Sequence, residues 1–186
     1  MAVPTLVELE NLFQEVVVQI TSLLPQNVRI GWQPESQPGF NLEQNVISIM
    51  LTIEPDPWNI QRDVIYEYVN DLVISEEVTY YRVLNVRFEI YGPNAFDISD
   101  QLRSGILSNS SLMALMALNV APLTDIPAPI RIPYLFNGRW WDRADLTAIF
   151  NNRVTRTTEV DPLSGATIQI IDRNGVQAEI SLNEET

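Results

Sequence analysis

The sequence predicts an α+β fold in which a mostly antiparallel β-sheet carries two main helices packed against it, followed by a C-terminal β-hairpin. Residues 6–24 place apolar side chains at helical spacing, several later segments alternate with the period of a strand, and two Asn-Gly pairs sit where hairpin turns are expected. A chain of 186 residues, 46% of them apolar, has enough material for one sizeable core. Residues 1–160 read as a single α+β domain and residues 161–186 as a hairpin extension of it.

In the first helix Leu6, Leu9, Phe13, Val16, Ile20 and Leu23 form the apolar stripe, with Glu8, Glu15 and Gln19 off it. Thr5 followed by Glu8 fits a capping box, and Pro25 blocks continuation. Nineteen residues at about 1.5 Å each give roughly 28 Å, enough to cross a four- or five-stranded sheet. A strand follows around Val28–Trp32, then a loop from Gln33 to Gly39. Ile47, Ile49, Leu51 and Ile53 alternate with Ser48 and Thr52 in a half-buried strand over 46–53, which Glu54-Pro55-Asp56-Pro57 ends. Residues 60–73 match helical spacing but have the Tyr, Val and Ile content of a strand, and the strand reading is preferred.

From Val78 to Ile90 the even positions read Val, Tyr, Arg, Leu, Val, Phe, Ile, while Thr79, Asn85, Arg87 and Glu89 take the other face. Tyr91-Gly92-Pro93-Asn94 breaks this strand, and Asn94 is placed to cap a second helix with Ala95, Ile98, Leu102 and Ile106 as its buried stripe. Asn109–Ser111 is expected to interrupt it before a short helical turn over Leu112–Leu118. Residues 119–135, with prolines at 122, 127, 129 and 133, read as an extended edge. Asn137-Gly138 turns the chain into a strand from Arg139 to about Val154, with Trp140, Ala144, Leu146, Ala148 and Phe150 on one face and Trp141, Arg143, Asp145, Thr147 and Asn151 on the other. After a loop at Asp161–Gly165, Ala166–Ile171 and Val176–Leu182 flank Asn174-Gly175 as a terminal hairpin. A lone two-stranded hairpin is marginal in water, so this one needs its own sheet or a neighbouring subunit to pack on.

The chain has 11 Arg but no Lys, no His and no Cys. Zinc sites of the usual type, thiol nucleophiles, Ser-His-Asp triads, Schiff bases and the P-loop lysine are excluded for want of the residues. A net charge of −13 argues against nucleic-acid binding and against an anionic membrane surface. No apolar run approaches membrane-spanning length, and Glu8, Glu10 and Glu15 interrupt the early apolar stretch, so no signal peptide is expected and synthesis in a cytoplasm is.

Carboxylate pairs are the remaining catalytic option. Glu76 and Glu77 are adjacent on a strand and point apart, Asp142 and Asp145 differ in parity, and Asp97 and Asp100 lie on a helix face suited to solvent. No catalytic, cofactor-binding or metal-binding residue is therefore nominated, and no cofactor is expected. Consecutive Trp140 and Trp141 must face opposite sides of a sheet, so one can enter the core and the other, unless the sheet is buried on both faces, needs cover from a loop or a partner chain. Arg139, Trp140 and Trp141, with Ile168, Ile170, Val176 and Ile180 of the terminal hairpin, are the interface candidates.

Two segments, Arg82–Asp97 (RVLNVRFEIYGPNAFD) and Tyr134–Val154 (YLFNGRWWDRADLTAIFNNRV), resemble the neck or tail terminator proteins of long-tailed bacteriophages. In such chains a long strand ends in a Tyr-Gly-Xaa-Asn-Ala run that starts a helix, and a later strand carries a Trp and an Arg-Ala-Xaa-Leu stretch. The resemblance covers the order of elements from about residue 6 to 155. It implies a structural virion protein of the tail or neck, made in the host cytoplasm, that assembles as a homohexameric ring on the head-proximal end of the tail tube. Such a ring stops tube polymerisation and joins the tail to the head side. The implied partners are further copies of the chain, the tail tube protein and head-side neck or connector proteins, with the sheath protein a further candidate. DNA is expected to pass through the lumen without specific binding. The competing readings are another tube, baseplate or connector adaptor and, more remotely, a carboxylate-dependent hydrolase.

Overall fold

The computed structural model describes residues 3–31, 39–55, 57–70, 73–161, 165–172 and 175–183, the last two ranges by their backbone. Trp32, most of the 33–39 loop, Asp56, most of the 161–165 loop and Asn174 of the second Asn-Gly pair lie outside the described residues.

Helix α1 (Leu6–Thr21) starts as expected: the Thr5 hydroxyl accepts from the Glu8 N–H at 3.3 Å, and the Thr5 N–H donates to Glu8 Oε2 at 2.7 Å. It ends earlier than the apolar stripe suggests. Ser22 turns left-handed (φ 56°), its N–H capping the Val18 carbonyl, and Pro25–Asn27 form a separate 3₁₀ turn, so Leu23 falls outside the helix.

Strand β1 (Val28–Ile30) runs parallel to β2 (Val46–Glu54), and β2 is antiparallel to β4 (Val73–Tyr91), with Ile47, Ile49 and Leu51 opposite Ile90, Phe88 and Val86. Ile53, expected with the buried set, is 52% exposed. The ambiguous segment is strand β3 (Asp63–Asn70), paired with β4.

Gly92, at φ 119°, turns the chain from β4 into α2 (Ala95–Gly105). Ala95, Ile98, Leu102 and Ile106 are all buried as their spacing predicts. Asn94 precedes the helix, but its side chain makes no capping bond; its N–H donates instead to Asn45 Oδ1 at 3.1 Å. The interruption comes earlier than Asn109. Ser108 leaves the helical path and its hydroxyl accepts from the Ser111 N–H, so Asn109–Ser111 form the first turn of α3 (Asn109–Met116) rather than a break.

The Pro-containing segment does run as an edge. Strands β5 (Val120–Pro122) and β6 (Ile130–Arg131) both pair antiparallel with β9 (Arg143–Val160). Strands β7 (Tyr134–Phe136) and β8 (Arg139–Trp141) form a separate hairpin in which Asn137 (φ 51°) and Gly138 (φ 73°) both have the positive φ of a type I′ turn. The single strand expected over 139–154 is thus two. Asp142 separates β8 from β9, its carbonyl accepting from the Gly92 N–H at 3.0 Å, and the separation breaks the face pattern that grouped Trp140 with Ala144 and Phe150.

The sheet order is β1-β2-β4-β9-β5, with β3 on β4 and β6 on β9. The chain divides into two compact units, Met1–Asp63 with Thr79–Thr155, and Val64–Val78 with Arg156–Thr186. In the first, the helices cover one sheet face: Leu9, Phe13, Leu102 and Leu115 join Ile49, Leu84, Val86, Phe88, Leu146 and Phe150 in one core, and the Phe13 and Phe150 rings meet edge-on at 4.8 Å. A buried polar tie closes the same core. The Asn152 amide donates to the Leu118 and Asn119 carbonyls while its oxygen accepts from Arg82 Nε at 3.1 Å. The second unit contains β3, the hairpin of β10 (Gly165–Asp172) and β11 (Gly175–Asn183), and the adjoining stretches of β4 and β9.

Candidate assembly surface

Helices cover one face of the sheet in the first unit, and the opposite face carries charge. The alternation that sends Val86, Phe88 and Ile90 inward puts Arg87, Glu89 and Tyr91 on the other side of β4, and Arg143 and Asp145 extend that array from β9. Arg143 donates to Asp145 from Nε at 2.6 Å and from Nη2 at 2.8 Å, and reaches Glu89 at 2.7 Å. Arg87 donates to the same Asp145 Oδ2. Burial alone would push the Asp145 carboxyl up, but the two guanidinium groups hold it below the usual carboxylate range. Burial, with the hydrogen bond to Glu89 (2.9 Å), pushes the Tyr91 phenol well above its ordinary value. Asp145 is thus locked ionised and Tyr91 locked neutral, so neither is poised to exchange a proton near neutral pH.

Other carboxylates that sequence spacing brought into question do not converge. Asp142 pairs with Arg131 at 3.4 Å, away from Asp145 and its arginines, and Glu76 accepts from the Tyr66 hydroxyl at 3.0 Å. No group of three or more metal-ligating side chains occurs among the described residues. Among those residues, no helix is long and apolar enough to cross a membrane.

Of the interface candidates, Trp140 is 68% exposed and pairs across the hairpin with Leu135, itself exposed; the expectation that one tryptophan enters the core is not met. Hairpin β7–β8 leaves the main sheet, which takes Trp140 away from the helix-covered face. Trp141 is half-buried against a loop, its ring meeting Phe40 edge-on at 5.3 Å. Phe40 also lies 5.6 Å from the Tyr91 ring, with Arg29 over Phe40 and Arg143 over Tyr91. Arg139 is exposed and lies opposite Phe136. In the terminal hairpin Ile168 is the register partner of Ile180, Ile170 of Ala178, and Val176 of Ile171 beyond a register shift.

One apolar surface escaped sequence reasoning. Strand β3 alternates faces like any strand, yet every one of its residues is exposed, including Val64, Ile65, Tyr66, Tyr68 and Val69. Its signal in the sequence was the missing alternation that left 60–73 ambiguous: a strand apolar on both faces belongs in a structure with cover on both sides.

A charged sheet face with its acids already paired, an exposed aromatic hairpin and a bare apolar strand are the features of a structural assembly subunit. The family model described as phage neck terminator protein matches residues 7–180, and the chain belongs to that family. It is a structural virion protein that caps the tail at the neck. The match continues past residue 155 through β10 and into β11. A search of curated proteins finds no significant match.

Proposed function

We propose that the protein closes into a homohexameric ring on the head-proximal end of the tail tube, stops tube polymerisation and presents the surface on which head-side neck or connector proteins assemble. Strand β3 carries this reading, because a strand with apolar side chains bare on both faces is stable in water only when further protein covers it. The exposed β7–β8 hairpin, with Arg139 and Trp140, offers a second such surface, and Trp141 braces its base against Phe40. The β10–β11 segment, with Ile168, Ile170, Val176 and Ile180, is a third candidate contact, acting as an extension suited to strand exchange between subunits.

Mass measurement of the purified protein with and without the tail tube subunit tests the ring, a six-fold mass increase being the expected result. A protein that stays monomeric and never caps tubes contradicts it. The net charge of −13 supports a further role: a negatively charged lumen through which DNA passes without adhering. A ring whose lumen proves neutral or basic, with all its acids outside, contradicts that role. Truncation before residue 163 tests the hairpin separately, since unchanged ring assembly would remove it as a contact.

A further inference from the structure

We propose that the solvent face of helix α3, with the ends of α1 and α2 beside it, receives strand β3 of a second copy. The inference rests on the ring reading and names one of its contacts. All 24 acidic residues lie outside residues 16–34 and 101–124, the two longest acid-free stretches of the chain. The fold brings these two stretches together. The Gln101 side-chain amide donates to the Ile20 carbonyl at 2.8 Å, and Gly105 packs against the Ile20 side chain with no room for a Cβ.

A surface helix ordinarily turns charge toward water, yet α3 has no charged residue in its length. Ser111 and Leu115 are buried, while Met113 and Met116, three apart on the other side, are each 63% exposed. At the adjoining end of α2, Arg103 and Leu107 are also exposed. Arg103 donates from Nε to the Ile126 carbonyl at 2.9 Å and has no carboxylate partner among the described residues. In a chain of net charge −13, such a face is where the carboxylates of another copy meet least repulsion.

Charge also chooses which part of that copy docks. Strand β3 contains Asp63 and Glu67 and no arginine, and Ile65 and Val69 flank Glu67 on one of its faces. The β7–β8 hairpin holds Arg139 and no carboxylate, and a second α3 face would set Arg103 against Arg103, so neither brings the opposite charge. Acid-flanked apolar spots at Leu6–Val7 and at Phe96 are one or two residues wide, whereas β3 exposes Val64, Ile65, Tyr66, Tyr68 and Val69. Nor does the hairpin compete as a receiver for β3: Arg131 is held by Asp142, and Arg139, next to Trp140 on β8, faces away from it. Docking covers Ile65 and Val69 with Met113 and Met116, whose flexible thioethers adapt to a strand, and leaves Glu67 facing a surface without acids. A contact between unlike patches repeats around an axis and closes a ring when its rotation permits.

The test reads the sign of the charge that the α3 face tolerates, by mass of the full chain in the presence of the tail tube subunit. Met113→Glu should weaken assembly by roughly tenfold or more relative to Met113→Lys, with unchanged circular dichroism spectra, and in a Glu67→Lys background that order should reverse. Wild-type rings with equal assembly of Met113→Glu and Met113→Lys, or an order that Glu67→Lys does not reverse, overturn the pairing and leave the ring reading standing. Wild-type protein that stays monomeric overturns both. Because the chain has no cysteine, Ile65→Cys with Met113→Cys in one chain gives an independent readout. A short bis-maleimide should turn rings of this double variant into a ladder of linked chains and leave either single variant unlinked; a double variant without a ladder overturns the pairing.

Discussion

Asp145 ties together the charged face of the sheet, accepting hydrogen bonds from both Arg143 and Arg87. Its side chain and that of Arg143 are only 8% and 12% exposed, so removing one leaves the other charge poorly solvated. Asp145→Ala should destabilise the fold by about 3 kcal/mol in chemical denaturation. Because the folded carboxyl titrates below its unfolded value, its stabilisation is complete above the ordinary carboxylate range and disappears as pH falls through the depressed native value. Stability followed down that range should therefore drop more steeply for the wild type than for Asp145→Ala; parallel curves would remove the network as the cause. The parity of the two strands already put Arg87 with Glu89 and Arg143 with Asp145 in the sequence. That these pairs are neighbours was not legible, because it depends on the β4–β9 register, which no local pattern specifies.

At the scale of elements, the clearest sequence signals were chemical ones at chain reversals. Thr5 and Glu8 form the expected reciprocal cap, and Thr5→Ala should lower stability by about 1 kcal/mol by thermal or chemical unfolding. Gly92 is more demanding. A Cβ there would sit 2.5 Å from the Gln44 carbonyl oxygen and 2.8 Å from Asn45 Cα, at a φ that L-residues avoid. Gly92→Ala should cost more than the roughly 1 kcal/mol of an ordinary Gly-to-Ala strain, and unfolding at wild-type denaturant concentration would show the turn to be more plastic than its contacts imply. Elements were misjudged where a tertiary bond outweighed a local preference. Asn94 has a capping side chain, yet it makes no capping bond, while its own N–H is held by Asn45. Strand 139–154 alternates well enough to look continuous, yet the bond from Gly92 to Asp142 marks the point where β8 separates from β9. Trp140 follows β8, and so an aromatic side chain of core type is found in solvent.

The whole molecule has surfaces that its own chain leaves uncovered. The helix-covered core was legible because periodicity reports burial within one chain; the faces of β3 were ambiguous because a strand with apolar residues on both faces has no two-residue alternation to read. The missing Lys, His and Cys, first a reason to discount enzymes, accord with a family whose work is structural. The proposed ring requires a subunit that recognises its own kind and the end of a tube. The most direct measurement is the mass of the purified protein alone and mixed with the tail tube subunit. The account predicts a closed hexamer on the tube end, with tube length arrested once it binds. A protein that remains monomeric in the mixture while tubes continue to grow would contradict it.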